Sequence, residues 1–173
     1  MLERKISSGE LRRIQFGPQD DDRAFIVRVS FTSDDPWGVV NRARDVLSRV
    51  LEQVQSWPSD RAWPDLLPSW FVEQCAPEAE PGDWNADEWQ LHWQTMTEAE
   101  KAEASEGPWT LLDWLYYFDP VEGRGADRSW WWWDAGSDEP GKGWFDVATT
   151  GWPFGTGSLY WLIEACLGVD PHC

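Results

Sequence analysis

Histidine, cysteine and methionine are nearly absent from this chain, and basic side chains are few. The 173 residues hold two histidines, three cysteines and two methionines. A Ser-His-Asp or Cys-His system would have to use His92, since His172 falls in an expected tail, and no G-x-S-x-G elbow occurs. Cys75, Cys166 and Cys173 fit neither a zinc-knuckle nor a CxxC spacing, so free thiols in a reducing compartment are expected. Cys75 follows Phe71 and Val72 in an expected amphipathic helix, where a buried thiol is inert. No run approaches the ~18 consecutive apolar residues of a spanning helix. No basic segment leads into an apolar stretch after Met1, so a cytoplasmic location is expected.

The shortage of positive charge excludes more. Against 14 Lys and Arg stand 31 Asp and Glu, giving a net charge of −17 at pH 7 and a pI near 4.3. Such a charge repels nucleic acid and anionic membranes at long range. Its distribution is uneven. Residues 1–55 balance 9 basic against 9 acidic side chains, whereas residues 56–173 hold 5 and 22, so the whole excess lies in the second segment. The tryptophans divide the same way: Trp37 is in the first segment and the other 15 of 16 follow it.

Composition is otherwise that of a folded domain, 42% hydrophobic and 26% charged, and residues 1–173 are read as a single domain. In the scaffold segment 1–55, strands are expected over Leu11–Phe16 and Ala24–Phe31, joined by a loop through Asp20–Asp22. A helix over 36–55 follows, with Asp35 as N-cap, Pro36 at its first position and Val40, Ala43, Leu47, Val50 and Val54 on one face. Segment 56–128 is acidic, rich in Trp and Pro, and cut into short helices by Trp57-Pro58, Trp63-Pro64 and Pro68. Asn85 with Glu88, and Thr97 with Glu100, have capping-box spacing, and Trp109–Phe118 reads as a buried helix.

In the closing segment 129–168, strands at 129–134 and 144–149 are expected around a long polar tip from Gly136 to Gly143. A helix at 156–167 ended by Gly168 as its left-handed terminator and a tail over 169–173 complete the chain. The fold class is therefore α+β: a four-stranded, largely antiparallel sheet of two hairpins with helices packed on it, in the order ββα, short helices, ββα. Any of the three Trp-Pro bonds, including Trp152-Pro153, can be cis.

Phosphate and metal motifs fail on inspection. In Gly151–Ser158 a dinucleotide fingerprint would place its third glycine at Tyr160, and the Lys-Ser/Thr ending of a P-loop is missing. The segment reads as a turn with an N-cap from Thr156 or Ser158. Asp20–Asp22 and Asp134–Glu139 lack the alternation of an EF-hand loop. No cofactor and no metal is expected.

What remains is aromatic surface and negative charge. In a strand, Trp130 and Trp132 face opposite to Trp131 and Trp133, so either both faces are covered or one pair lines a groove. Ten acidic side chains against Lys101 alone fill Glu73–Glu106, a solvated face or a patch that steers a basic partner. The expectation is an interaction protein that binds and occludes a basic protein, in the manner of an immunity protein or an inhibitor of a nuclease-like toxin. Its candidate contact residues are Trp89, Trp93, Glu98, Glu100, Glu103, Trp131, Trp133, Asp134 and Trp144. The alternative class is a carbohydrate-type site or hydrolase using Trp platforms with Asp113, Asp119, Asp134 or Asp146. A homodimer covering Trp131 and Trp133 is a third arrangement.

Overall fold

The structure, a computed structural model, describes residues 9–19, 23–78, 86–105, 107–121, 125 and 128–173. Asp20–Asp22, Asn85 of the first expected capping box, and the side chains of Trp89 and Glu103 lie outside the described residues. The expected α+β class is found. The elements are α1 (Glu10–Phe16), β1 (Phe25–Thr32), α2 (Pro36–Glu52), α3 (Trp63–Leu66), α4 (Ser69–Gln74), α5 (Ala86–Thr95) and α6 (Glu98–Ser105). They continue with α7 (Leu111–Leu115) running into a 3-10 turn (Tyr116–Phe118), β2 (Trp130–Glu139), β3 (Lys142–Thr149), α8 (Gly157–Ala165) and β4 (Val169–His172). The strands form one antiparallel sheet in the order β2-β3-β1-β4.

Alternation along the strands decides the core. Val29, Phe31, Trp130, Trp132, Phe145 and Val147 point to one face and are all buried. Helix α2 lies in the same core with Val39, Val40, Ala43, Val46, Leu47 and Val50. It starts as its sequence requires: the Asp35 side chain accepts the Gly38 N–H at 3.0 Å, and Pro36 fills the first helical position. Two buried indoles find acceptors on Ser158: Trp130 Nε1–H donates to Ser158 Oγ at 2.8 Å and Trp114 Nε1–H to the Ser158 carbonyl at 3.0 Å. The Ser158 hydroxyl therefore serves the core, and Thr156 makes no capping bond from its side chain, so the expected cap of α8 by either residue is not formed.

Several expected elements differ. Residues 10–16 are a helix, because the buried positions Glu10, Arg13 and Ile14 follow helical spacing while Phe16 is exposed. The expected first hairpin is absent, and the fourth strand comes instead from the expected tail: Val169–His172 pairs with β1, and Thr32 Oγ1–H donates to the Val169 carbonyl at 3.3 Å. The long tip of the second hairpin is also absent, since β2 and β3 continue to Glu139 and Lys142. Helix α8 ends in paired bonds, Gly168 N–H to Ile163 O at 2.9 Å and Leu167 N–H to Glu164 O at 3.0 Å. The left-handed residue of that cap is Leu167 (φ 72), not Gly168. Gly168 is required for space, since a Cβ there would lie 2.5 Å from Ile163 Cγ2. The Trp152-Pro153 bond is cis.

Helix α1 lies along the outer edge of β2 and pairs with it through charged side chains. Glu10, fully buried, accepts the Trp132 N–H at 2.7 Å and is ion-paired to Arg128, while Arg13 donates to the Trp132 carbonyl at 3.0 Å. These bonds occupy backbone groups that an edge strand would otherwise expose.

Candidate functional site

The second face of the sheet carries the candidate site. Strand register arranges its side chains in rows running across the sheet. Trp131, Ala148 and Ile26 form one row, Asp134, Asp146 and Arg28 the next, and Gly136, Trp144, Ser30 and His172 the third. Ile26, Arg28 and Thr32 are exposed, and Asp134, Trp144 and Asp146 half-buried.

Trp144 is fixed from three sides. Its ring lies over Gly136, where a Cβ would come within 2.9 Å of Cζ2, so only glycine leaves room for the indole. Its Nε1–H donates to Asp138 Oδ2 at 3.0 Å. The Arg28 guanidinium sits 4.0 Å from the ring centroid, a cation–π distance. Arg28 is itself held by Asp146 through two bonds of 2.7 and 2.9 Å, which push the guanidinium pKa up. Asp134 stands opposite Asp146 in the register, and its Oδ1 accepts the Ala135 N–H at 2.9 Å. Beside Trp144 the surface dips into a concavity of about 310 Å³ between Arg28, Thr32, Asp138, Lys142 and His172. Asp134, Asp138, Glu139 and Asp146 outnumber Arg28 and Lys142, so the face is net negative.

The nine residues expected to contact a partner divide into two groups. Trp131, Trp133, Asp134 and Trp144 share the sheet face just described. Trp131 is 8% exposed, covered by Ala24 and Trp133, so its burial is achieved within one chain. Trp133 is half-buried beneath the Arg13 guanidinium, 4.8 Å from its ring. Trp93, Glu98 and Glu100 belong to α5 and α6, away from the strands in sequence, as do the backbones of Trp89 and Glu103. There the expected capping box forms: Glu100 Oε2 accepts the Thr97 N–H at 2.7 Å and Glu100 N–H donates to Thr97 Oγ1 at 3.2 Å. That backbone hydrogen bond holds the Glu100 carboxyl below its usual range.

Of the hydrolytic candidates, Asp134 and Asp146 adjoin across β2 and β3, while Asp113 and Asp119 belong to other elements. Asp113 is exposed on α7, Asp119 is buried with Oδ1 accepting the Val121 N–H at 2.9 Å, and Asp146 is engaged by Arg28. His92 is exposed on α5. Burial pushes the Cys75 thiol up to about 11, with Glu78 adding to it. Among the described residues, no group of three His, Cys, Asp or Glu side chains could hold a metal ion, and no helix is long and apolar enough to cross a membrane.

Arg28, Gly136 and Asp138 were not singled out by sequence reasoning. Arg28 did leave a trace there, as the one charged residue at an outward position of the apolar run Phe25–Phe31. Comparison with protein-family models, characterised proteins and solved structures finds no match for this chain.

Proposed function

We propose that this protein is an acidic interaction module that binds and occludes a basic protein through the open face of its sheet, acting as an immunity protein or inhibitor toward a nuclease-like partner. One observation carries the reading: Trp144 is held in place by Gly136, Asp138 and Arg28 on a net-negative surface. A tryptophan whose rotamer is already set loses little conformational entropy on docking, which suits it as an interface anchor. The surrounding carboxylates, in a chain of net charge −17, attract a positive surface and set its orientation.

The carbohydrate or hydrolase reading has less support. One face of Trp144 is taken by Arg28, and Asp146 is committed to the same arginine. The protein, immobilised and exposed to extract from its own cells, is expected to retain a basic protein. Once purified, that protein is expected to bind it with an affinity that falls steeply between low and high salt, and to lose its own activity in the complex. Retention of no basic protein, or a purified complex indifferent to salt and fully active, overturns the proposal.

A further inference from the structure

A second recess, formed by none of the strands, lies where α3 meets α7. Trp57, Trp63 and Tyr116 supply aromatic walls, Leu115 part of the floor, and Asp60 and Asp119 two carboxylates, around a volume of about 140 Å³. Trp57 and Trp63 pack at 4.7 Å between centroids, with Trp63 buried and Trp57 half-buried, and Tyr116 is 40% exposed. The volume is below the roughly 300–1,000 Å³ of a small-molecule site. It holds on the order of five water volumes at ~30 Å³ each, room for the end of one long side chain. No basic side chain lines it among the described residues.

The chain shows elsewhere what such a combination receives. Arg28 lies on Trp144 with Asp146 closing the pair, and Arg128 lies 4.4 Å from the Phe118 centroid and 5.1 Å from that of Trp130, with Glu10 closing the pair. In both, a guanidinium is held between an aromatic ring and a carboxylate. Among the described residues the recess repeats the ring and, in Asp60, the carboxylate, and no arginine lines it. We infer that it is a receptor for a single arginine side chain, which the basic partner inserts between the Trp57 and Tyr116 side of the recess and Asp60. A guanidinium is favoured over an ammonium because it is planar, weakly hydrated and stacks on aromatic rings. That a partner supplies the arginine rests on the proposed function above; the chemistry of the recess does not.

The test needs no partner. The full chain, ¹⁵N-labelled on its indoles, is titrated with an acetyl-Gly-Arg-Gly-amide peptide and with its citrulline and lysine counterparts, the Trp57 signal being assigned with Trp57→Phe. The arginine peptide is expected to move the Trp57 indole signal saturably, with a Kd on the order of 1 mM. The lysine peptide binds several-fold more weakly, and the uncharged citrulline isostere gives no saturable shift. Asp60→Asn, a change at an exposed side chain, weakens the arginine response at least about fivefold. Equal shifts from citrulline, an unmoved Trp57, an unaffected Asp60→Asn, or lysine binding as tightly as arginine each overturn the assignment. Partner binding through the sheet face, read with separate variants, fails or stands independently of that result.

Discussion

Removing the Glu10 carboxylate tests the most unexpected part of the fold. In Glu10→Ala the Arg128 guanidinium, with only 8% of its side chain exposed, loses its ion-pair partner, and the Trp132 N–H loses its acceptor. Breaking a buried ion pair from one side costs about 3–5 kcal/mol, and orphaning a buried N–H costs about 1–3 kcal/mol. Both penalties arise from one carboxylate, so they do not add in full, and a loss of about 4 kcal/mol is expected. At roughly 2–4 °C per kcal/mol for a chain of this size, Tm falls by about 8–16 °C. Glu10→Gln keeps an oxygen for the Trp132 N–H but not the charge, and loses about half as much. Urea unfolding followed by near-ultraviolet circular dichroism reads these differences, and in a double-mutant cycle Glu10→Ala with Arg128→Leu should recover at least about 2 kcal/mol. A Glu10→Ala loss below about 1 kcal/mol, or no coupling to Arg128, would refute the view that α1 is held to β2 by buried charge.

The cap of α8 gives two substitutions of opposite sign. Leu167→Gly relieves a left-handed leucine, stabilising by about 0.5 kcal/mol after the extra freedom of the unfolded chain is subtracted, while Gly168→Ala costs about 2 kcal/mol through the 2.5 Å approach to Ile163; Tm shifts of the same sign would contradict the geometry. At pH 8 one thiol in three should react quickly with a disulfide reagent, and Cys173→Ser should abolish it. The Cys75 thiol is pushed up to about 11 by burial, the Cys166 thiol is buried and raised further, and Cys173 is exposed. Gly136→Ala should displace the Trp144 indole, changing the near-ultraviolet spectrum and weakening partner binding at least about tenfold with stability lowered by under about 2 kcal/mol.

Local signals held at α2, at the Thr97 cap and along β2, and failed at α8, where neither Thr156 nor Ser158 caps the helix and Leu167 rather than Gly168 is left-handed. Asp35 and Pro36 set the start of α2, Thr97 and Glu100 formed their reciprocal cap, and the alternation of Trp130 to Trp132 placed two indoles in the core and Trp131 on the other face. Helix α1 was misread as a strand because its buried face is Glu10 and Arg13, and hydropathy sends such residues to solvent. Strand β4 was illegible because Val169–His172 carries no alternation, with Asp170 at φ 54 and a proline next to it; its pairing depends on β1, far away in sequence. The polar stretch Gly136–Glu139 read as a loop, yet its glycine and aspartate are what seat Trp144. At the candidate site Trp144 was legible as a strand residue, but the facing of Asp134 was not: alternation from Trp130 and Trp132 turns it inward, and a register shift between Trp132 and Asp134 brings it to the open face beside Asp146. Arg28 was not legible either, because its contacts with Asp146 and Trp144 span 118 residues or nearly so and leave no local pattern.

If the negative sheet face receives a basic protein as proposed, its carboxylates set the rate of encounter. Asp134→Asn, Asp138→Asn and Glu139→Gln together remove three charges while retaining oxygen acceptors for Ala135 N–H and Trp144 Nε1–H. Stopped-flow binding of the purified partner to this triple variant, beside wild type and across a salt series, measures that rate. The association rate is expected to be lower by about tenfold at low salt and to converge on wild type as salt rises, with little change in dissociation. Equal association rates at low salt, in a variant shown to be folded, would contradict the proposal.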